Sequence, residues 1–318
     1  MHRNKFLFID WISPEYHNGF NQAFFDAINV KDSSIIFFNK KCTISNQNIK
    51  YVDKPHQGRL ARMISVYIEA IKSKKPIFFL TYDHIYIIPL LLFKKDIFVF
   101  EHNTTPYRRE KIKSIIQKIF LKKLNRFCQF EKQNERLLDI NQKSSYIGSP
   151  LLKINNLNNI KSSKYIIIPS DRVSPDSIKV INDCAKKYNI VIRKSAIKNA
   201  KIDIKDLNPS VQIVEWFDLD GRHSNIEGIL IATDDDIRGS GWFNEAVSRG
   251  VPILFMYRNI SNIFASTFPG YSYALAKNAN DLEEGISDFR RPSEQELSDI
   301  IINYNLKFSD RYHNSIMI

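Results

Sequence analysis

The chain has 318 residues, 43% of them hydrophobic and 25% charged, with 46 Lys and Arg against 34 Asp and Glu for a net charge of +12. That length supports one large or two ordinary domains with a real core, so a disulfide-held miniprotein is excluded, and the composition excludes disorder as the main state. The positive balance points to an anionic partner and leaves nucleic acid, phosphorylated ligand and acidic lipid open.

Short apolar runs alternate with helical patterns along the chain. Phe6-Leu7-Phe8-Ile9 reads as a first strand, the segment from Asn21 to Ile28 as a helix, and Ile35-Ile36-Phe37-Phe38 as a second strand. Arg59 to Lys72 has apolar residues at helical spacing and is followed by a strand at Ile77 to Leu80, a helical run over Ile87 to Phe93, and a strand at Ile97 to Phe100. Strands that are apolar on consecutive positions belong in a parallel sheet covered by helices on both faces. A basic amphipathic helix is expected over Glu110 to Asn125, with strands at Phe127 to Phe130 and at Tyr146 to Gly148. The first α/β domain is therefore placed at residues 1–150.

Residues 151–163 are rich in Asn, Lys and Ser with no period and read as a linker. A second alternation fills residues 164–318. Strands are expected at Tyr165 to Ile168, Ile190 to Ile192, Val211 to Val214, Gly228 to Ala232 and Val251 to Phe255. Helices are expected at Pro175 to Tyr188, Trp242 to Arg249 (stopped by Gly250), Asp281 to Phe289 and Ser293 to Leu306, the last able to pack back on the first domain. Ligands of such sheets bind beyond the carboxyl ends of the strands, so the site is expected in a cleft between two Rossmann-like domains.

The segment Ile231 to Ile253 is the most informative. A strand leads into Asp234-Asp235-Asp236-Ile237-Arg238-Gly239-Ser240-Gly241, and a helix carrying Asn244, Glu245 and Ala246 follows, closed by Gly250-Val251-Pro252. Glycines let a ligand approach the backbone, Ser240 can cap the helix and leave amides for an anion, and Glu245, one turn in, can hold sugar or ribose hydroxyls. A simple turn with Glu245 on the helix surface explains the same residues.

On Gly239-Ser240-Gly241, Glu245-Ala246 and Gly250-Val251-Pro252 the chain resembles bacterial glycosyltransferases of the GT-B type, such as those that build lipopolysaccharide, O-antigen or capsule. The resemblance, specific over Gly228 to Phe255, implies an α/β fold of two Rossmann-like domains, with the nucleotide-sugar donor on the second. Retaining members of family 4 carry a further glutamate where this chain has Ile237, so the stereochemistry stays open. The resemblance also places acceptor-side catalysis just past the strand at Phe98-Val99-Phe100, with His102 as general base or sugar-holding group and Glu101 as the second candidate, although a structural histidine bonded to a nearby backbone carbonyl explains His102 equally well. Tyr82-Asp83-His84 borders the same region, and Pro14 to Asn21 is read as a loop near the donor phosphates. Arg172, Lys194 and Arg238 are the expected diphosphate cations, with Gly239, Ser240, Gly241, Asn244 and Glu245 completing the donor set. Val214 to Asp218, with Trp216, is expected under the nucleobase, although burial in the core accounts for Trp216 equally well.

The implied activity is a metal-independent, hexosyltransferase-like transfer of sugar from a nucleoside diphosphate sugar to a glycan or lipid-linked glycan acceptor, without a bound cofactor. Asp234-Asp235-Asp236 has a spacing that suits a divalent ion, yet it is read here as loop acid. Lys111, Lys113, Lys118, Lys122, Lys123 and Arg126, on or beside one amphipathic helix, suit an anionic membrane surface or a solvated face over packed core. The competing readings are a sugar-nucleotide epimerase on the same fold, an inactive scaffold, and a basic nucleic-acid-binding protein. No RNA-binding stretch or zinc finger supports the last, so nucleic acid is not an expected partner. Cys42, Cys128 and Cys184 form no CxxC pair and are expected reduced. Phe6 to Ile9 is too short for a leader's apolar core and Ile85 to Phe93 too short to span a bilayer, which predicts a cytoplasmic protein, free or peripheral on the inner face of the plasma membrane.

Overall fold

Runs of Phe, Ile and Leu on consecutive positions leave a strand no polar face, so both sides of the sheet must be covered. The computed structural model describes residues 6–10, 14–29, 33–37, 49–53, 59–81, 87–93, 96–102, 122–131, 133–135, 143–152, 164–170, 173–217, 219, 222–233 and 241–316. The chain divides into two compact units: unit 1 comprises residues 1–152 and 303–318, and unit 2 comprises residues 153–302.

In unit 1 the described strands are β1 (Leu7–Asp10), β2 (Ser33–Phe37), β3 (Ile49–Asp53), β4 (Ile77–Thr81), β5 (Ile97–Glu101), β6 (Asn125–Cys128) and β7 (Ser144–Tyr146). They pair in parallel in the order β3-β2-β1-β4-β5-β6-β7. The described helical elements that lie wholly in this unit include α1 (Pro14–Ile28), α2 (Arg59–Lys72) and a 3-10 helix (Ile88–Leu92). The strand period of two sorts the core into two layers. Phe6, Phe8, Phe78, Phe100 and Phe127 face one way and meet Phe24, Phe25 and Ile28 of α1. Leu7, Ile9, Ile77, Phe79, Ile97 and Val99 face the other way, under Val66 and Ala70 of α2 and Leu90 and Leu91 of the 3-10 helix. The first layer packs edge to face: Phe8 and Phe25 have ring centroids 5.0 Å apart at 90°, an arrangement that adds about 0.5–1.5 kcal/mol to burial alone.

Unit 2 repeats the plan. Its strands β8 (Tyr165–Ile168), β9 (Asn189–Arg193), β10 (Gln212–Val214), β11 (Ile226–Ile231), β12 (Ile253–Phe255) and β13 (Tyr273–Leu275) pair in parallel as β10-β9-β8-β11-β12-β13. The described α-helices are α3 (Ser177–Cys184), α4 (Lys194–Ala200), α5 (Gly241–Arg249), α6 (Arg258–Thr267), α7 (Ala279–Ser287) and α8 (Glu294–Ile316). The last of these starts in unit 2 and ends in unit 1, where Phe308 and Tyr312 are buried against Phe24 at 5.7 and 5.6 Å. Burial pushes the Cys184 thiol up to about 11, and burial beside Glu101 raises that of Cys128. Among the described residues no helix is long and apolar enough to cross a membrane.

Several expectations change. Pro14 to Asn21 is helix rather than loop: Pro is accommodated in a first turn, and the buried Asn21, Ala23, Phe24, Phe25 and Ile28 draw the helix onto the sheet. The run at Ile87 to Phe93 makes a 3-10 helix of five residues, with Pro at its start. Strands β3 and β13 and helices α4 and α6 were not anticipated. The linker beyond Leu152 and the basic helix before Lys122 lie outside the described residues.

Gly250 ends α5 as expected, at φ +60, with its amide donating to Val247 O and that of Val251 to Ala246 O, both at 3.1 Å. A Cβ there would also lie 3.1 Å from Pro292 Cγ. Gly250→Ala is therefore expected to cost about 1–3 kcal/mol in urea denaturation, since it adds left-handed backbone strain to a steric contact.

Candidate functional site

In an open parallel sheet the strand order reverses at one point, and side chains at the carboxyl ends of the two strands there look into the ligand crevice. In unit 1 those strands are β1 and β4, which end in Asp10 and Thr81, both buried. Thr81 Oγ1 donates to Asp10 Oδ1, and Asn21 Nδ2 of α1 donates to Asp10 Oδ2 at 2.7 Å. The next strand, β5, ends in Glu101 and leads into His102. His102 Nε2 lies 2.8 Å from the carbonyl oxygen of Leu80, and its ring packs on Phe20 and Phe100 with centroids 4.8 Å away in each case. A carbonyl only accepts, so Nε2 carries the proton and Nδ1 is the basic nitrogen of the neutral ring.

Glu101 behaves differently from its neighbour. Its carboxylate is buried in an ion pair with Arg126, and its backbone carbonyl accepts from Gln133 Nε2 at 3.2 Å. Gln133 Oε1 in turn accepts from the amide of Gln129 at 3.1 Å, so the group ties the carboxyl end of β5 to the turn after β6. Arg126, expected beside the basic helix, lies in β6 and is fully buried. Its sequence neighbours Lys122 and Lys123 remain exposed, as suits residues before the strand.

In unit 2 the order reverses between β8 and β11. The amide of Ser174 donates to Ala232 O at 3.1 Å, as does the Ser177 hydroxyl at 3.4 Å, and that hydroxyl lies 3.5 Å from the hydroxyl of Tyr257. At the carboxyl end of β9, the Arg193 guanidinium stacks 4.3 Å from the ring centroid of Trp216, a residue that is partly exposed. Lys194 pairs with Glu215 at 2.7 Å with both side chains exposed, and Glu215 holds the ammonium above its ordinary pKa. Such an exposed pair contributes little to stability and leaves the lysine available.

Helix α5 presents its first turn just beyond β11. Among the described residues, none lies within 4 Å of a Cβ built on Gly241. Asn244 is half-buried one turn in, and Glu245 accepts from Arg249 Nε at 2.5 Å while Arg249 Nη1 donates to Leu219 O at 3.4 Å. Trp242 packs on Phe217 at 5.2 Å. Unit 2 thus brings Lys194 to one part of its carboxyl edge and Gly241, Asn244 and Glu245 to another. Arg172, Arg238, Gly239 and Ser240, with Tyr82-Asp83-His84 and Asp234-Asp235-Asp236, lie outside the described residues. Among the described residues no group of three or more His, Cys, Asp or Glu is placed to hold a metal ion.

Asp10, Asn21, Thr81 and Gln133 are not singled out by the sequence, and Arg126 stands out there only as a cation beside the basic helix. Asp10 had a readable signal, an acid closing the apolar run of the first strand at its ligand end. The partners of Glu101 had none, because Arg126 and Gln133 come from distant positions of otherwise ordinary sequence.

No protein-family model matches this sequence, and no curated protein does. Solved structures do. A UDP-N-acetylglucosamine 2-epimerase from Rickettsia bellii is similar at TM-score 0.56 and 15% identity, over 99% of this chain and 96% of that one. Anabaena HepE, solved with UDP and glucose, is similar at TM-score 0.63 and 10% identity, over 99% and 100% of the two chains. An α,α-trehalose-phosphate synthase from Burkholderia xenovorans, solved with glucose-6-phosphate, reaches TM-score 0.59 at 8% identity, over 99% and 100%. The chain has the two-domain α/β GT-B fold.

The buried pair makes a stability prediction. Arg126→Ala leaves the Glu101 carboxylate buried without its cation and should cost about 3–5 kcal/mol in urea denaturation. Replacing both partners by Leu and Met should recover most of that loss.

Proposed function

We propose that the chain is a glycosyltransferase that moves a sugar, of hexose type, from a nucleoside diphosphate sugar to a hydroxyl of a lipid-linked glycan of the bacterial surface. The observation that carries this reading is the doubled parallel sheet, each copy in nucleotide-binding strand order, in a fold shared with HepE bound to UDP and glucose. Unit 2 takes the donor. The first turn of α5 offers its amides to the diphosphate, Asn244 and Glu245 hold sugar or ribose hydroxyls, and Trp216, backed by Arg193, stacks on the base. Lys194, with Arg172, Arg238, Gly239 and Ser240, offsets the charge that grows on the diphosphate as it leaves, in place of a divalent ion.

Unit 1 supplies the base. His102 Nδ1 takes the proton of the acceptor hydroxyl as its oxygen bonds to the sugar's anomeric carbon, while the bond from that carbon to the diphosphate oxygen breaks. Glu101, paired with Arg126, positions this end of β5 rather than accepting the proton itself. A second reading, epimerisation of a nucleotide sugar, is favoured by the likeness to the Rickettsia bellii enzyme. It uses the same donor and needs no acceptor.

The readings separate in one assay. A transferase releases nucleoside diphosphate in step with acceptor consumption, whereas an epimerase interconverts nucleotide sugars with no acceptor present. In the transferase, His102→Ala should lower kcat about 100-fold or more with donor Kd unchanged, and equal losses in both would remove the base role. Glu245→Gln, which keeps an acceptor for Arg249, should raise donor Kd about tenfold in calorimetry, and an unchanged Kd would take Glu245 out of the donor site.

A further inference from the structure

Helix α2 carries a second apolar face that the fold does not cover. Val66 and Ala70 are buried against the sheet, yet Leu60, Ile64, Ile68 and Ile71 are 66%, 48%, 44% and 53% exposed. At about 100° per residue these four fall within an arc of about 80°, in a stripe about 16 Å long. The 3-10 helix packs beside α2 and runs into Leu92 and Phe93, 69% and 68% exposed. Scattered apolar side chains on a surface are ordinary, but four in register on one helix mark an interaction surface.

Charge divides just as unevenly between the two units. Unit 1 holds 27 Lys and Arg against 14 Asp and Glu, a balance of +13, whereas unit 2 holds 19 against 20. The whole net positive charge of the chain therefore belongs to the unit that bears the stripe. Because the strands are parallel, the segments entering β4, β6 and β7 meet at one edge, and exposed lysines stand there: Lys72 and Lys74, Lys122 and Lys123, and Lys143. Ile71, in the last turn of α2, leads towards β4, and Leu92 and Phe93 lead into β5, so these three share that edge, with Asp96 as an exposed acid among them. This is the amino-terminal edge, opposite the edge that carries Asp10, Thr81 and His102.

We infer that this surface of unit 1 docks on an anionic lipid bilayer, with the α2 stripe, Leu92 and Phe93 entering the headgroup boundary and the lysines facing lipid phosphates. Charge selects this occupant. A second copy would set one +13 unit against another, and an uncharged apolar partner would give the lysine rim nothing to neutralise. The inference deepens the lipid-linked acceptor reading, on which it rests for its purpose, but its evidence is the surface alone.

The test is cosedimentation of the full chain with vesicles of phosphatidylcholine, with and without a third phosphatidylglycerol. Binding is expected to the anionic vesicles and to weaken as salt rises. Ile64→Ser with Ile68→Ser, which leaves the charge unchanged, should weaken it about tenfold or more, while Ile302→Ser, an exposed apolar change in unit 2, leaves it intact. Circular dichroism and nucleotide titration of the same samples separate this outcome from misfolding and from failure of the transfer reading. Absence of binding by the unaltered chain, equal binding to neutral vesicles, or full binding by the double variant would overturn the inference. So would a dimer that the double variant breaks, since a second copy would then be the occupant.

Discussion

Parallel pairing is the constraint from which the remaining features follow. A parallel strand cannot be re-entered by a hairpin, so every connection must travel the length of the sheet and cover one of its faces. Both faces of each strand are then buried, which is why Phe6 to Ile9, Ile77 to Leu80 and Tyr165 to Ile168 are apolar without alternation. Chain segments distant in sequence leave the sheet at the same edge. Polar residues at that edge become neighbours without any local motif, as Asp10, Thr81 and His102 do in unit 1.

Unit 1 links these residues through β4. Leu80 and Thr81 are consecutive: the carbonyl of the first holds the His102 ring, and the hydroxyl of the second is bonded to Asp10. The orientation of the imidazole is therefore tied to a buried carboxylate on another strand, itself held by Asn21 of α1. Glu101, adjacent in sequence, points its charge into the pair with Arg126 and braces β5 against β6. Two adjacent polar residues at one strand end thus separate into one that can meet a ligand and one that supports the frame. Strand alternation produces that division.

The sequence was most readable where period and burial agree. Arg59 to Lys72 has the bounds of α2, and the buried strands of both units were found within a few residues because nothing but a two-sided sheet suits such runs. The helix stop at Gly250 was legible because its backbone conformation favours glycine. Strands β3 and β13, at the outer edges of the described sheets, have mixed sequences that only their neighbours make into strands. Helix α6 was hidden by Asn259, Ser261 and Asn262, although Ile260, Ile263 and Phe264 supply its buried face. Within the candidate site, His102, Lys194 and Glu245 were visible as polar residues after strands or inside a helix following glycines. Their bonding partners depend on tertiary register, and so does the reassignment of Arg126 from a basic helix to a buried strand.

The central claim is that the doubled sheet is a nucleotide-sugar machine, and calorimetric titration of the full chain with UDP, GDP, CDP and ADP tests it most directly. The account predicts selective binding of one diphosphate nucleotide, with equal affinity in magnesium and in chelator. Absence of binding by all four, or affinity that vanishes in chelator, would contradict it.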